Sequence, residues 1–301
     1  MESSAVLPPE FDAGHYRGRY EDLRALDDAQ AASHFAVIGH KEGREGSPLS
    51  FRETFLAEIV QRDEGDILEI GPYYSPVVTG PNVAYLDVLD ADELRARAIE
   101  QGHDLAKAPA KIDFVGDIST VDRSFAAVVS CHAIEHQPDL VRHLNTVAKI
   151  LEPGGRYYLM VPDHRYCFDA LIPGSTIAGV LQAHREGRTR HTLQNVIEHR
   201  ALTTHNNPAL HWQGLSGESK PANQETRILA AIAEYDRADG GYVDVHAWYF
   251  TPTSFRNITD ALFQMGLSEL KPVRIFNTPM GRFEFCAILE KPREEPASTP
   301  M

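Results

Sequence analysis

Apolar residues recur in two rhythms along this chain. Short apolar or β-branched runs at 66–70, 83–87, 112–116, 125–130 and 156–161 predict five strands. Helical patterns separate several of them. Asp90 and Glu93 make a capping-box start to a helix that Gly102 stops. Pro138 opens another, in which Leu140, Val141, Leu144, Val147 and Leu151 share one face, and Pro153-Gly154-Gly155 ends it. The alternation of strand and helix predicts an α/β fold with a doubly wound, mostly parallel sheet. The rhythm breaks at 165–245, where helix-like stretches near 176–186, 189–202 and 223–238 are interrupted by a loop at 203–222. It resumes at Thr251-Pro252, with Phe255, Ile258 and Leu262 inward and Gly266 as the stop. Runs at 269–276 and 282–290 form a terminal pair across the turn 277–281, with Phe283, Phe285, Ala287 and Leu289 pointing one way. Seven strands are then expected.

Residues 11–48 read as helical with little apolar content. Residues 1–10 and 291–301 are rich in Pro, Ser and Glu and read as frayed ends. The expected organisation is an N-terminal helical module at 1–50, an α/β domain made of 51–164 and 246–292, a mostly helical cap inserted at 165–245, and a disordered tail at 293–301. No internal repeat of fixed period is visible.

With 301 residues the chain can bury one full core plus an appendage. The formal charge of −14 argues against a polyanionic partner, because nucleic-acid binding needs a basic face. A small molecule or neutral glycan is the expected substrate. Cys131, Cys167 and Cys286 are odd in number and lack CxxC spacing, which argues against a disulfide framework or a zinc ribbon. No basic-then-apolar leader opens the chain and no run of about 18 apolar residues is present, so a reducing cytoplasm is the expected compartment.

The chemistry concentrates at strand ends. The first run ends Glu69-Ile70-Gly71-Pro72, and the second ends in Asp87. Adjacent parallel strands with carboxylates near their C-terminal tips can hold the ribose of a nucleotide-like cofactor, and glycine lets backbone come close.

The ordered set of motifs resembles class I S-adenosylmethionine-dependent methyltransferases, over about 69–169 and again from 246 to the last strand. Glu69-Ile70-Gly71-Pro72 resembles the loop that wraps the methionine part of the cofactor. Asp87 matches the acid that takes the ribose hydroxyls, and Asp117 in Gly116-Asp117-Ile118 matches the acid beside the adenine amino group. Ser130-Cys131-His132-Ala133-Ile134-Glu135-His136 and Leu151-Glu152-Pro153-Gly154-Gly155 resemble the fourth-strand motif and the loop before the fifth strand. The resemblance implies a Rossmann-like methyltransferase fold, S-adenosylmethionine as cofactor, and a cofactor shell of Glu69, Gly71, Pro72, Tyr73, Asp87, Val88, Asp117, Ile118, Ser130 and His132. The chain departs from the common pattern in having one glycine after the first strand, and 75–82 is too short for a crossover helix. An irregular bridge is expected there, with Tyr73 or Tyr74 over the cofactor. The string Val161-Pro162-Asp163-His164-Arg165-Tyr166-Cys167-Phe168-Asp169 is similar to a subgroup associated with cell-surface polysaccharide and glycoconjugate pathways, which usually has lysine at the place of His164. More loosely, the N-terminal pattern from Phe11 to Arg44 resembles a helical module of glycan-assembly proteins.

Methyl transfer to a hydroxyl needs a base tuned near neutral pH, and imidazole suits it. Asp163, His164, His132 and His246 are the catalytic candidates. Arg165, Asp169 and Trp212 are candidates for binding a polar substrate, Trp212 by stacking on a sugar face. No metal is expected, since His184, His191 and His199 lack the i, i+4 spacing that aligns ligands on a helix. A homodimer is compatible with the N-terminal module, which could pack on a second subunit or on its own cap. The rival readings are an NAD-dependent oxidoreductase, disfavoured by the missing G-x-G-x-x-G, and a non-catalytic scaffold that keeps the fold.

Overall fold

The computed structural model describes residue 7 and residues 11–61, 65–217 and 223–293. Most of the two expected frayed ends, and all but the first residue of the 293–301 tail, lie outside the described residues. Lys291 is not frayed: its backbone exchanges hydrogen bonds with Gly154 and Gly155 (2.8 and 3.0 Å).

Seven strands form a single sheet. They are β1 (Ile67–Ile70), β2 (Val83–Asp87), β3 (Phe114–Val115), β4 (Phe125–Cys131), β5 (Leu151–Pro162), β6 (Lys271–Ile275) and β7 (Glu284–Glu290), in the order β3-β2-β1-β4-β5-β7-β6. The first five are parallel, and β7 runs antiparallel to both β5 and β6. This is the doubly wound, mostly parallel seven-stranded sheet that the pattern predicts. The order reverses between β1 and β4, which opens a crevice at their C-terminal ends.

The period of two along the strands sorts the core into two layers. Leu68, Leu86, Val128, Leu159, Phe285 and Leu289 face one side. Ile67, Val129, Tyr158, Met160, Cys286 and Ile288 face the other. Because helices cover both faces, β7 is buried on both, and its alternation does not mark a solvent face.

The helices are α1 (Ala13–Arg19), α2 (Asp28–His34), α3 (Arg52–Gln61), α4 (Ala91–Glu100), α5 (Leu140–Ile150), α6 (Ile177–Arg185), α7 (Leu193–Ala201), α8 (Pro208–Trp212), α9 (Gln224–Ala238) and α10 (Pro252–Gln264). The Asp90–Glu93 capping box opens α4, and Gly102 follows its end at φ +75°. Asp139, one residue past Pro138, caps α5. Thr251 and Ser254 cap α10, which buries Phe255, Ile258 and Leu262.

Four features depart from the pattern. First, α3 was not predicted, though its Phe55 is fully buried against Tyr158 and Phe276. Second, β3 is shorter than 112–116, because an Asp113 carboxylate oxygen takes the Tyr85 N–H (3.0 Å) and Gly116 turns to φ +108°. Third, Pro153-Gly154-Gly155 is a slip inside the β4–β5 ladder, which pairs Phe125 with Leu151 and resumes at Ala127 with Arg156. Fourth, the loop 203–222 contains α8, capped by Asn207 with Pro208 at its first turn; residues 218–222 lie outside the described residues.

The segment at 75–82 is an irregular bridge, as expected. The N-terminal segment has its own small core of Tyr16, Leu23, Ala31 and Phe35. A Cβ at Gly43 would collide with the Trp212 ring, so this segment packs on the chain's own insertion. Among the described residues no helix is long and apolar enough to cross a membrane.

Candidate active site

A cavity of ≈ 320 Å³ opens at the C-terminal tips of β1, β2 and β4, at the switch point. Its wall includes Gly71 after β1, Asp87 and Val88 at the end of β2, Asp117 and Ile118 after β3, and His132 after β4. Seven of the predicted cofactor residues thus meet there: Gly71, Tyr73, Asp87, Val88, Asp117, Ile118 and His132.

Local geometry explains the placement. Gly71 takes φ +72°, a left-handed conformation that costs glycine nothing. Tyr73 adopts φ +46° despite its side chain, and its N–H points at Asp87 Oδ2 (3.3 Å). Asp87 Oδ1 accepts the Val88 N–H (2.7 Å), so the carboxylate is held at the strand tip. Burial pushes the Asp87 carboxyl upward from its ordinary pKa against these backbone bonds. At Asp117 burial works the same way, but hydrogen bonds from Ser119 and the nearby Arg142 prevail and lower it. Val88 is 55 % exposed, an apolar side chain at the cavity edge.

His132 also has positive φ (+51°), which turns its ring towards β7. Its Nε2 lies 2.7 Å from Glu284 Oε2, and Glu284 is gripped from the far side by the Arg52 guanidinium. Burial opposes ionisation of Glu284, yet the bonds from His132 and Arg52 bring its pKa down to about 2. The result is an imidazole at the cavity wall, oriented by an ionised carboxylate.

Three predicted cofactor residues do not line the cavity. Glu69 is buried in β1, and its carboxylate accepts the Val77 and Val78 N–H groups (2.8 and 3.1 Å). It ties down the bridge at 75–82, and burial raises its pKa to about 7. Pro72 and Ser130 are buried behind the wall.

The other catalytic and substrate candidates lie elsewhere too. Asp163 is fully buried and saturated: Arg165 donates Nε to Oδ1 (2.9 Å) and Nη2 to Oδ2 (2.6 Å), and Thr278 adds its hydroxyl (2.6 Å). A carboxylate so occupied is a poor base, and the Arg165 guanidinium that holds it has its Nε and Nη2 committed. His164 donates its backbone N–H to Phe250 (2.9 Å), and burial lowers its pKa, but it is off the cavity wall. Asp169 is buried with its Oδ2 2.7 Å from His246 Nδ1, so those two pair with each other instead of reaching out. Trp212 stacks on Tyr166 (3.9 Å between centroids, 7° between planes) and donates to the Arg282 carbonyl (2.8 Å). It anchors α8.

Arg97, Gln137, His143, Tyr242 and Asp244 also line the wall without having been read as site residues, and so does His136, which the sequence offers only as a motif member. Arg97 on α4 reaches Asp244 (2.7 Å), and the Tyr242 hydroxyl donates to the same carboxylate (3.0 Å). The one available signal was position: His136 closes the fourth-strand motif, and Asp244 stands two residues before His246.

Residues 41–261 match the model of a family described as a methyltransferase domain, well over half of the chain. The chain belongs to that family. Among solved structures, an N-methyltransferase, NodS, from Bradyrhizobium japonicum is 14% identical over 80% of this chain and 95% of that one, with a TM-score of 0.34. A glycopeptide N-methyltransferase, MtfA, is 21% identical over 38% of this chain and 54% of that one (TM-score 0.28). An amino pentose methyltransferase from Micromonospora echinaspora is 19% identical over 36% and 50% (TM-score 0.28). The match thus spans about half the length of the last two. No curated protein matches the chain.

Proposed function

We propose that the protein methylates a hydroxyl or amine of a sugar, glycan or related small polar metabolite, with His132 as proton acceptor. The observation that carries this reading is the convergence of Asp87, Asp117 and the Glu284-oriented His132 on one cavity at the switch point.

The residues present fit the cofactor. Asp87 offers acceptor oxygens for ribose hydroxyls, Asp117 an acceptor for an exocyclic amine, and Leu86, Val88 and Ile118 an apolar shelf for a base ring. When bound, S-adenosylmethionine supplies a methyl carbon on a sulfonium; the acceptor's lone pair forms the new bond while the carbon–sulfur pair stays on sulfur. The protein's part is alignment and proton removal. With Nε2–H directed at Glu284, Nδ1 of His132 carries the lone pair that takes the acceptor's proton. Arg97, His136, Gln137, Tyr242 and Asp244 give the opposite wall hydrogen-bonding groups suited to a hydroxyl-rich acceptor. The charge of −14 and the resemblance of the 161–169 string to the glycoconjugate subgroup support the same substrate class.

Transfer of label from methyl-labelled donor to a panel of sugars, amino sugars and glycans tests this. His132→Ala is expected to lower turnover about 100-fold or more while donor affinity changes little. Unchanged turnover in that variant would exclude His132 as the base.

A further inference from the structure

We propose that Glu135, His136 and His246 form a binding site for a divalent transition-metal cation, set between the cavity and the helical insertion. Glu135 and His136 belong to the 3₁₀ turn Ile134–His136 that follows β4. His246 lies on the segment returning from the insertion. That segment is pinned to the turn, because the Ala247 and Trp248 N–H groups both donate to the Glu135 carbonyl (2.7 and 3.2 Å).

Oε1 of Glu135 lies 3.9 Å from Nε2 of His136 and 3.9 Å from Nε2 of His246, and the three ligand atoms all lie within 4.8 Å of one another. A separation of 3.9 Å is too long for a hydrogen bond. Glu135 is 1% exposed, and neither carboxylate oxygen has a hydrogen-bond partner among the described residues. A buried carboxylate left in that state is costly.

A carboxylate lies beside the far side of each ring. His246 Nδ1 is 2.7 Å from Asp169 Oδ2, and His136 Nδ1 is 2.9 Å from Asp244 Oδ1. The Asp169 bond places the His246 proton on Nδ1, so the His246 Nε2 lone pair turns inward towards Glu135; His136 Nδ1 has an ion-pair contact with Asp244 without hydrogen-bond geometry, and its Nε2 faces Glu135 as well. A buried carboxylate and two imidazole nitrogens that face one another without a hydrogen bond are stabilised by a shared cation, and a metal ion satisfies all three at once. Metal-binding histidines are held by outer carboxylates in this same way.

The donor set fixes the class of ion. Two imidazole nitrogens and one carboxylate oxygen suit Zn²⁺, Fe²⁺, Co²⁺ or Mn²⁺ over Mg²⁺ or Ca²⁺. Three protein ligands leave coordination positions open, and His136 lines the cavity. An ion there would hold the acceptor's oxygen or nitrogen; that role rests on the methyl-transfer reading, whereas the site itself does not. Two neighbouring clusters are weaker candidates. In Cys131–His132–Glu284 the Arg52 guanidinium already neutralises the carboxylate. In Asp169–His199–His246 the His199 Nδ1 faces the His246 N–H (3.2 Å), and Asp169 is the hydrogen-bond partner of His246.

The test is calorimetric titration of chelator-stripped, tag-free protein with Zn²⁺ and separately with Mg²⁺, supported by the visible absorption of a Co²⁺ complex. One Zn²⁺ per chain is expected, with Mg²⁺ about 100-fold weaker or more. Glu135→Gln and His246→Ala should each weaken Zn²⁺ binding at least about tenfold and abolish the Co²⁺ bands, with far-UV circular dichroism confirming that they fold. Asp87→Ala should keep full Zn²⁺ binding while losing donor affinity, which separates this proposal from the methyl-transfer reading. Folded wild-type protein that binds no Zn²⁺, or wild-type affinity in both ligand variants, would overturn the site.

Discussion

At the scale of single residues, what a carboxylate already holds decides what it can still do. Asp163 and Asp87 both stand at the C-terminal ends of parallel strands, and the sequence offers Asp163 as a base and Asp87 as the acid for ribose. Asp163 is enclosed and its oxygens are taken by Arg165 and Thr278, whereas Asp87 keeps its oxygens at the cavity wall with only backbone N–H partners. Asp163→Asn is therefore expected to act on stability, lowering it by about 2 kcal/mol because Arg165 loses a bidentate partner but is itself half exposed. Chemical denaturation and donor titration of the variant check this: a marked loss of donor affinity without loss of stability would return Asp163 to the site. Asp87, Asp117 and Gly71 were legible because a strand tip is set by local pattern alone. The Asp163–Thr278 contact was not, since it joins residues over 100 positions apart. Nor was the grouping of Glu135, His136 and His246, because its ligand atoms come from a turn and a returning segment that share no helical spacing.

Between elements, polar contacts fix how helices sit on the sheet. His143 on α5 is buried and bonds the Tyr157 hydroxyl of β5 (2.9 Å). Burial pushes its pKa down to about 4, with Asp117 opposing weakly. Between that value and the ordinary value near 6.5 the unfolded chain holds a proton that the native protein does not. Stability from this histidine is thus complete above pH 6.5 and falls as the pH drops towards 4, by about 2 kcal/mol between pH 7 and pH 5. His143→Gln, which can still bond Tyr157, should flatten that part of the profile in urea unfolding. A variant profile parallel to wild type would contradict the assignment. Element starts and stops were legible where capping chemistry is local, as at Asp90 and Thr251. The shortened β3 was not, because a side chain from Asp113 displaces a ladder bond. The five-residue α8 and the unpredicted α3 show the limit of periodicity, which needs two turns or more of a one-sided apolar stripe.

For the molecule as a whole, the order of the strands does the functional work. Reversal between β1 and β4 puts the ends of β1, β2, β3 and β4 around one crevice, and the insertion returns along the chain at 242–250 to supply its opposite wall. The alternation of strand and helix announced that sheet, but nothing in the sequence said which wall residues the insertion would bring back. The central claim is that the crevice holds S-adenosylmethionine through Asp87. Isothermal titration of the wild-type protein and of Asp87→Ala with S-adenosylmethionine tests it most directly. The account predicts one binding site per chain in the wild type, weakened about 10- to 100-fold in the variant as hydrogen bonds to a charged group are lost. Equal affinity in the two proteins, or no binding by folded wild type, would contradict it.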